Sequence, residues 1–311
     1  MSGAERVAVC SRSFSTNPVL RGELLARYER VTFNDAGLKL AGQSLADFLQ
    51  GHEKAIIGLE PVDGFVLGQL PELTVVSKYG VGLDMIDLVA MRAHGKRLGW
   101  TGGVNRRSVS ELSISFMIAM LRHVPRADRE VRAGMWRQHV GGYLTARTIG
   151  IIGCGHVGQD LVTLLQPFGC HILVNDIRDY PEFFGRWGVE TCALDDLLRR
   201  SDIVTLHVPL DDSTRGMMNA GRLALMKPSA LLINTARGGL VDEAALASML
   251  REQTLAGAAF DVFAVEPLTE SALMSLPNFL ATPHIGGSAA EAILAMGRAA
   301  IEGLDRNELV G

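Results

Sequence analysis

The chain has 311 residues, of which 48% are apolar and 21% charged, a balance typical of a folded globular protein rather than a disordered one. Its net charge of −4, without a basic run, argues against nucleic acid as a partner. No apolar stretch reaches the ~18 residues of a membrane span. The charged start at Glu5 and Arg6 does not resemble a signal peptide, so we expect a cytoplasmic protein.

Short β-branched runs alternate with helical patterns along the whole chain, which predicts an α/β protein with parallel sheets. The first group of strands is expected at 6–10, 54–59 and 73–79. The second group is expected at 147–153, 171–176, 202–208, 230–236 and 255–263. Because the second group alone can build a complete nucleotide-binding sheet, the first group must form a separate, smaller one.

Two long helices are predicted beside these strands. The first covers 105–124, follows a glycine-rich hinge at 100–105, and carries a Ser-x-x-Glu capping box at Ser108 and Glu111. The second covers 288–304 and begins with the same pattern. We expect the last helix to cross back to the first sheet.

The segment Gly153-Cys154-Gly155-His156-Val157-Gly158 matches the dinucleotide fingerprint G-x-G-x-x-G. A strand ends at this segment and an apolar helix follows it, as the motif requires. The next strand closes with Asp176, which is placed to accept both ribose hydroxyls and whose charge would repel the 2′-phosphate of NADP. The sequence therefore predicts NAD as the cofactor.

Polar groups follow three later strands, at Arg237, Asp261, Glu266 and His284. Because ligands bind beyond the carboxyl ends of strands in a doubly wound sheet, we expect these residues to converge. Histidine can exchange a proton with a substrate oxygen, a carboxylate can orient the ring, and a guanidinium can bind a carboxylate through two hydrogen bonds. Taken singly, His284 could be a core histidine, Arg237 a helix cap and Glu266 an ordinary loop acid.

At these residues the chain resembles the D-2-hydroxyacid dehydrogenases, in particular the catalytic core of D-3-phosphoglycerate dehydrogenases. The resemblance extends to three further segments, YGVGLDMID (79–87), HVPLDDSTRGMMN (207–219) and TPHIGG (282–287). The resemblance implies an NAD-dependent oxidoreductase in which Arg237 binds the substrate carboxylate and Glu266 and His284 form a proton relay. It implies a substrate segment of Lys78, Tyr79, Gly80, Val81 and Gly82. Around the cofactor, beside the fingerprint, it implies His207, Val208, Pro209, Thr214, Ala236, Asp261 and Gly286.

The same resemblance implies a homodimer held by the cofactor domains, and a substrate domain that is discontinuous in sequence. A Rossmann cofactor domain at 101–287 is inserted into a smaller, flavodoxin-like substrate domain at 1–100 plus 288–311. Both domains are expected to be doubly wound α/β folds with parallel sheets.

The chain departs from the phosphoglycerate dehydrogenases in two loops that bear on the substrate. The family's phosphate-binding arginine is absent from 56–64, where Glu60 stands, and its Asn-Thr-Pro is replaced by 100–102. Both changes argue against 3-phosphoglycerate. Four cations could still serve an anionic substrate, namely Arg12, Lys78, Arg106 and Arg107.

Two other functions share these motifs. One is an NAD(H)-sensing binding protein like the C-terminal binding protein corepressors, and the other is a formate dehydrogenase, whose histidine pairs with glutamine rather than with a residue like Glu266. The four cysteines form no CxxC pair and no cluster with histidine, so we expect free thiols and no metal site.

Overall fold

The computed structural model describes residues 5–269 and 271–310. Residues 1–4, 270 and 311, which the predicted domain ranges include, lie outside the described residues. The chain divides into two compact units. Unit 2 is Arg106–Gly286, and Unit 1 comprises the described residues up to Asn105 and from Gly287 onward. The predicted inserted domain, 101–287, differs from Unit 2 by a few residues at its start and one at its end.

The strands, in chain order, are β1 (Arg6–Val9), β2 (Arg30–Phe33), β3 (Lys54–Ile57), β4 (Val75–Lys78), β5 (Arg97–Gly99), β6 (Thr148–Ile152), β7 (His171–Asn175), β8 (Glu190–Thr191), β9 (Ile203–Leu206), β10 (Leu231–Asn234), β11 (Gly257–Phe260), β12 (Phe279–Ala281) and β13 (Glu308–Leu309).

The α-helices are α1 (Arg12–Ser15), α2 (Pro18–Leu25), α3 (Gln43–Leu49), α4 (Gly64–Gly68), α5 (Leu88–Ala93), α6 (Arg106–Leu121), α7 (Val124–Arg132), α8 (His156–Leu165), α9 (Pro181–Trp187), α10 (Leu194–Arg200), α11 (Ala220–Leu223), α12 (Glu243–Arg251) and α13 (Ala290–Gly303). Short 3₁₀ turns cover Gln166–Phe168 and Ala272–Ser275.

Unit 1 is built on a sheet in the order β13-β5-β4-β3-β1-β2, in which β1 to β5 run parallel and β13 is antiparallel to β5. The central strands β3 and β4 are buried along their whole length, as expected for strands with helices on both faces. Helix α13 lies directly on β5, because a Cβ added to Gly99 would come within 2.2 Å of the Gly303 carbonyl oxygen. The carboxyl-terminal helix therefore belongs to the amino-terminal sheet.

Unit 2 is built on a sheet in the order β12-β11-β10-β9-β6-β7-β8, with every pair parallel. The chain starts at the centre with β6, moves out to β8, and returns past the centre to β12, which is the Rossmann order. Strands β9, β10 and β11 are fully buried, and apolar clusters pack on both faces of the sheet. The predicted doubly wound α/β fold is confirmed.

The predicted helix at 105–124 is in fact two helices. Helix α6 ends at Leu121, and His123 takes a left-handed conformation (φ 56°) before α7 begins. The predicted capping box was wrong, because Ser108 lies inside α6 and donates its hydroxyl hydrogen to the Gly286 carbonyl at 2.6 Å. The cap predicted for the last helix was also wrong, since its N-cap is Ala289, which makes no side-chain cap.

The strands that the sequence did not predict are short or lie at the sheet edges. Strand β2 alternates exposed and half-buried residues at one edge, and β8, β12 and β13 have two or three residues each. Such segments carry too few apolar residues for a pattern to emerge. Among the described residues, no helix is long and apolar enough to cross a membrane.

Candidate active site

Three loops in Unit 2 follow strands that are neighbours in the sheet. Strands β10, β11 and β12 end at Asn234, Phe260 and Ala281, and they lie side by side. The loops that follow carry Arg237, then Asp261 and Glu266, then His284. Because parallel strands end at the same edge, the predicted constellation is gathered at one side of the sheet.

The loop that carries His284 is organised by the buried carboxylate of Asp261, which is 1% exposed. This carboxylate accepts hydrogen bonds from the Thr282 hydroxyl, from the Ile285 N–H at 2.7 Å and from the Gly286 N–H at 2.7 Å. The Asp261 carbonyl oxygen accepts from the His284 N–H at 2.8 Å. These contacts hold His284 in a left-handed conformation (φ 54°) that residues other than glycine rarely adopt.

Glu266 is fixed between the backbone and the imidazole. Its Oε1 accepts from the Phe263 N–H at 2.9 Å, and its Oε2 lies 2.7 Å from Nδ1 of His284. The His284 side chain is 48% exposed and that of Glu266 35%, so His284 is not a core histidine. With Nδ1 engaged by the carboxylate, Nε2 is the ring nitrogen left to meet a substrate.

The loop that carries Arg237 is braced by Asn234 and packed against the Glu266 loop. Asn234, which is 1% exposed, donates from its amide to the Arg237 carbonyl at 2.9 Å and accepts from the Ala236 N–H at 3.1 Å. A Cβ on Gly238 would lie 1.8 Å from the Phe263 carbonyl oxygen, so only glycine allows this approach. Arg237 itself donates from Nη1 to the Ala236 carbonyl at 2.7 Å.

The predicted fingerprint turn has the geometry that each glycine should provide. Gly153 takes a left-handed conformation (φ 92°), and a Cβ there would meet the His207 carbonyl oxygen at 2.6 Å. A Cβ on Gly158 would meet the Gly153 carbonyl oxygen at 2.3 Å, while one on Gly155 would have open space around it. Gly155 is the N-cap of α8 and supplies no side-chain cap, so the helix start offers its N–H groups to a ligand. The turn thus fits the pyrophosphate of a dinucleotide.

Asp176 lies immediately beyond β7, beside this turn. Its carboxylate accepts from the Cys154 N–H and, at 2.7 Å, from the Arg178 N–H. These bonds leave lone pairs on both oxygens for ribose hydroxyls. Burial, with a smaller contribution from the Asp176 charge, raises the pKa of the Cys154 thiol to about 12, so Cys154 remains a protonated thiol at neutral pH.

The other predicted cofactor residues lie along the carboxyl edge of the same sheet. His207 follows β9, and burial lowers its pKa to about 3, which makes it neutral at physiological pH and unfit to donate a proton. Thr214 donates its hydroxyl hydrogen to the Pro209 carbonyl at 2.7 Å. The rest follow β6, β9, β10 and β12, namely His156, Val157, Val208, Ala236 and Gly286.

The predicted substrate segment belongs to Unit 1 and follows β4. Lys78 and Tyr79 are buried, Gly80 has a left-handed backbone (φ 122°), and the Val81 carbonyl accepts from the Trp100 indole at 2.9 Å. Gly82 follows, half-buried.

The structure describes the contacts of Arg107, one of the four cations predicted to be available to an anionic substrate, and the grouping of metal-ligating side chains. Arg107 binds both carboxylate oxygens of Asp160 at 3.0 and 2.9 Å, so its fork is already occupied within Unit 2. Within 5–269 and 271–310, no group of three or more metal-ligating side chains comes together.

The sequence did not point to three groups that shape this site. They are the Phe263 N–H, the Thr282 hydroxyl and the bare backbone of Gly238. The Phe263 N–H is a main-chain donor that carries no residue-type signal, and Gly238, although its residue type is visible, does not reveal that it packs against the Phe263 carbonyl. Thr282 stood in the TPHIGG motif, but its partner Asp261 lies 21 residues away.

Residues 114–286 match the family described as "D-isomer specific 2-hydroxyacid dehydrogenase, NAD binding domain". The D-3-phosphoglycerate dehydrogenase of Mycobacterium leprae is 37% identical over 233 residues, which are 74% of this chain and 44% of that protein. The hydroxypyruvate reductase of Thermotoga maritima is 38% identical over 229 residues, 71% of this chain and 72% of that protein. The chain thus spans less than half the length of the mycobacterial relative.

Among solved structures, a Polaromonas protein described as a "putative D-isomer specific 2-hydroxyacid dehydrogenase, NAD-binding" superposes with a TM-score of 0.88 at 30% identity, covering 97% of this chain and 95% of the other. Unit 2 is accordingly an NAD-binding domain of the Rossmann type. With the strand order, the fingerprint geometry and the family match in agreement, the chain belongs to the D-isomer specific 2-hydroxyacid dehydrogenase family.

Proposed function

We propose that the protein is an NAD(H)-dependent oxidoreductase that interconverts D-2-hydroxyacids and 2-ketoacids, with Arg237, Glu266 and His284 as its catalytic residues. The observation that carries the proposal is the 2.7 Å contact between Nδ1 of His284 and Oε2 of Glu266, in a loop that Asp261 holds in place. A carboxylate in this position orients the ring and stabilises the imidazolium.

The proposed relay works in both directions. NADH, when bound, would supply the hydride that reduces the keto carbon. His284, in its protonated form, would deliver the Nε2 proton to the carbonyl oxygen. The Glu266 carboxylate orients the ring through its contact with Nδ1. In the oxidative direction, neutral His284 accepts the hydroxyl proton at Nε2, so the two directions need opposite protonation states of one residue.

Arg237 is proposed to bind the substrate carboxylate through two N–H groups of its planar fork. The brace from Asn234 and the close packing at Gly238 support this role, because they fix the backbone from which the guanidinium extends. Lys78, Tyr79, Gly80, Val81 and Gly82 are proposed to contribute to substrate binding from Unit 1.

We further propose NAD(H) over NADP(H), on the charge of Asp176 beside the turn. The predicted contacts of the fingerprint residues, His207, Val208, Pro209, Thr214, Ala236, Asp261 and Gly286 with the cofactor remain part of this proposal. A cytoplasmic location agrees with the free cysteines Cys10, Cys154, Cys170 and Cys192, which suit a reducing compartment.

A homodimer is proposed to form through the segment 131–143 of Unit 2. Exposed apolar side chains are concentrated there, with Trp136 85% exposed and Val140 95% exposed, and Val131, Met135 and Tyr143 nearby in sequence. Apolar side chains of this size, grouped on a surface, usually mark an interaction site. A second copy would bury them.

The relay is tested by replacing its two side chains. We expect His284→Ala to lower turnover of a 2-ketoacid by roughly 10²- to 10⁴-fold while NADH binding stays nearly unchanged. Glu266→Gln can still accept from the Phe263 N–H but lacks the charge, so the alkaline limb of the reductive pH profile should move to lower pH. The acid limb of the oxidative profile should also move to lower pH, because neutral His284 is then available at lower pH, so at a given pH the oxidative rate should rise where the reductive rate falls.

An exposed pair in the same unit provides the control for the relay. His171 and Glu190 lie 3.1 Å apart, away from the candidate site, so His171→Ala and Glu190→Gln should leave turnover and pH profiles unchanged. Turnover is measured with a deuterated nicotinamide to ensure that chemistry limits the rate. Full activity of His284→Ala would contradict the mechanism, and an NADH-binding protein without turnover of any 2-ketoacid would favour the sensor function instead.

The carboxylate anchor is tested by Arg237→Lys. An ammonium group cannot reproduce the planar fork, and the loss of one charge-assisted pair is worth ~2–3 kcal/mol, or roughly 30- to 150-fold in kcat/KM. The control is Arg222→Lys, because Arg222 likewise donates from Nη1 to a backbone carbonyl at 2.7 Å, that of Met217. If Arg237→Lys kept the full kcat/KM with its best substrate, the assigned role would be wrong.

Cofactor choice is tested by fluorescence titration with NADH and NADPH. The unmodified protein should bind NADH more tightly, and Asp176→Ser should narrow the difference by weakening NADH binding and relieving repulsion of the 2′-phosphate. Asp179→Ser removes a nearby exposed carboxylate and should change neither affinity. Equal or tighter NADPH binding by the unmodified protein would refute the preference.

The dimer is tested by sedimentation velocity. The unmodified chain should sediment as a dimer, and the double variant Trp136→Ser with Val140→Ser should shift it towards the monomer, since both side chains lose apolar contact area. Ile177→Ser alters another fully exposed side chain outside the segment and should leave the dimer intact. A dimer that persists in the double variant would exclude this segment as the interface.

A further inference from the structure

The backbone that leads to Glu266 is fixed by apolar packing at its start only. Phe263 is 7% exposed, and its ring lies 6.3 Å, between centroids, from the rings of both Phe260 and Phe279. The next two residues, Ala264 and Val265, are exposed, Val265 to 71%. Because packing does not hold these two residues, the course of the chain from Phe263 to Glu266 depends on polar contacts.

A carboxylate from the loop after β10 provides such a contact. Oε1 of Glu243 accepts a hydrogen bond from the Ala264 N–H at 2.8 Å. The carbonyl of the same peptide group faces Gly238, where an added Cβ would lie 1.8 Å from the Phe263 oxygen. The peptide between Phe263 and Ala264 is therefore held on both sides by the segment that follows Arg237.

Glu243 makes this contact although its own helix does not need it as a cap. The N-cap of α12 is Asp242, whose side chain accepts from the Ala245 N–H at 2.9 Å. An acidic side chain in the first turn also interacts favourably with the helix dipole, but that interaction requires no particular partner. The start of α12 thus carries two adjacent carboxylates, of which Asp242 serves the helix and Glu243 reaches the loop that carries Glu266.

We infer that Glu243 is a positioning residue for the proton relay, which it serves by fixing the backbone from which Glu266 reaches Nδ1 of His284. This inference rests on the proposed function, since it concerns the relay. Two consecutive N–H groups are accepted by carboxylates, that of Phe263 by Glu266 and that of Ala264 by Glu243. Without the second bond, the peptide between them is free to turn, and Glu266 can withdraw from the ring.

The inference is tested on the His284 ring itself, without substrate. In a neutral imidazole, the hydrogen bond that the ring makes determines which nitrogen carries the hydrogen, so the contact with Glu266 should keep it on Nδ1. Nitrogen NMR of protein labelled in its histidine rings measures the ratio of the two tautomers, at a pH where the ring is neutral. The His284 signals are those missing from His284→Asn. Glu243→Ala should lower the ratio of the Nδ1–H to the Nε2–H tautomer by roughly two- to ten-fold, the effect of weakening one hydrogen bond.

Two variants at the start of α12 are the matched controls. Asp242→Ala removes the neighbouring carboxylate, which also accepts one backbone N–H, and it should leave the tautomer ratio unchanged. Glu243→Gln keeps an oxygen that can accept from the Ala264 N–H and should retain the ratio. The second control separates the hydrogen bond from the negative charge near the helix start.

Turnover gives a second readout that a general loss of stability would not reproduce. Glu243→Ala should lower kcat for a 2-ketoacid by roughly ten- to hundred-fold, because small displacements of catalytic groups are costly. In a Glu266→Gln background the same change should cost much less, since Glu243 acts through Glu266.

The outcomes distinguish this inference from the proposed function. The role of Glu243 would be overturned by an unchanged tautomer ratio in Glu243→Ala, by an equal change in Asp242→Ala or Glu243→Gln, or by an unmodified protein in which the Nδ1–H tautomer does not predominate. The tautomer ratio does not depend on turnover, so a protein that reduces no 2-ketoacid would refute the proposed function alone. A ratio that falls in Glu243→Ala and is retained in both controls would support the role of Glu243.

Discussion

The candidate site depends on one buried carboxylate, that of Asp261. A carboxylate removed from water is costly unless its oxygens are satisfied, and here the Thr282 hydroxyl and two backbone N–H groups satisfy them. The same bonds draw the loop after β12 against the end of β11. His284 is thereby held in a backbone conformation that it would not adopt unaided, with its ring presented to Glu266. Each of these buried bonds, once broken, would cost about 1–3 kcal/mol.

This arrangement explains how loops can hold the candidate catalytic groups in place. The strands beneath are buried on both faces and pair in register, so their ends define fixed starting points. Beyond the strand ends, backbone contacts hold the loops in place. Asn234 braces the loop after β10, and the Phe263 N–H fixes Glu266 in the loop after β11. The absence of a side chain at Gly238 lets these two loops pack together. Rigid support of this kind is what precise proton transfer requires.

Two histidines show how burial places residues of one type in different electrostatic environments. His207 lies deep enough that desolvation lowers its pKa to about 3, and its ring lies 2.9 Å from the Thr205 hydroxyl. His284 lies in an exposed loop with a carboxylate on one ring nitrogen. The exposed ring beside a carboxylate is therefore the candidate for proton exchange, and the buried ring of His207 is not.

Local patterns in the sequence were sufficient for the fold class and the family. Apolar runs such as 202–208 and 230–236 predicted buried parallel strands, and the spacing of Gly153, Gly155 and Gly158 predicted the dinucleotide turn, because these features depend on residues close together in the chain. The same patterns failed for Ser108, whose hydroxyl bonds to Gly286, 178 residues away, instead of capping its own helix.

What only the tertiary structure decided was the set of partners brought in from distant positions. Asp261 and Gly286, Glu266 and His284, and Glu243 and Ala264 each meet through strand order rather than through sequence proximity. Main-chain donors such as the Phe263 N–H are invisible to any reading of residue types, since every residue except proline carries one. The residue types therefore predicted which groups could bind a dinucleotide or exchange a proton, while the packing of parallel strand ends determined which of those residues are in contact.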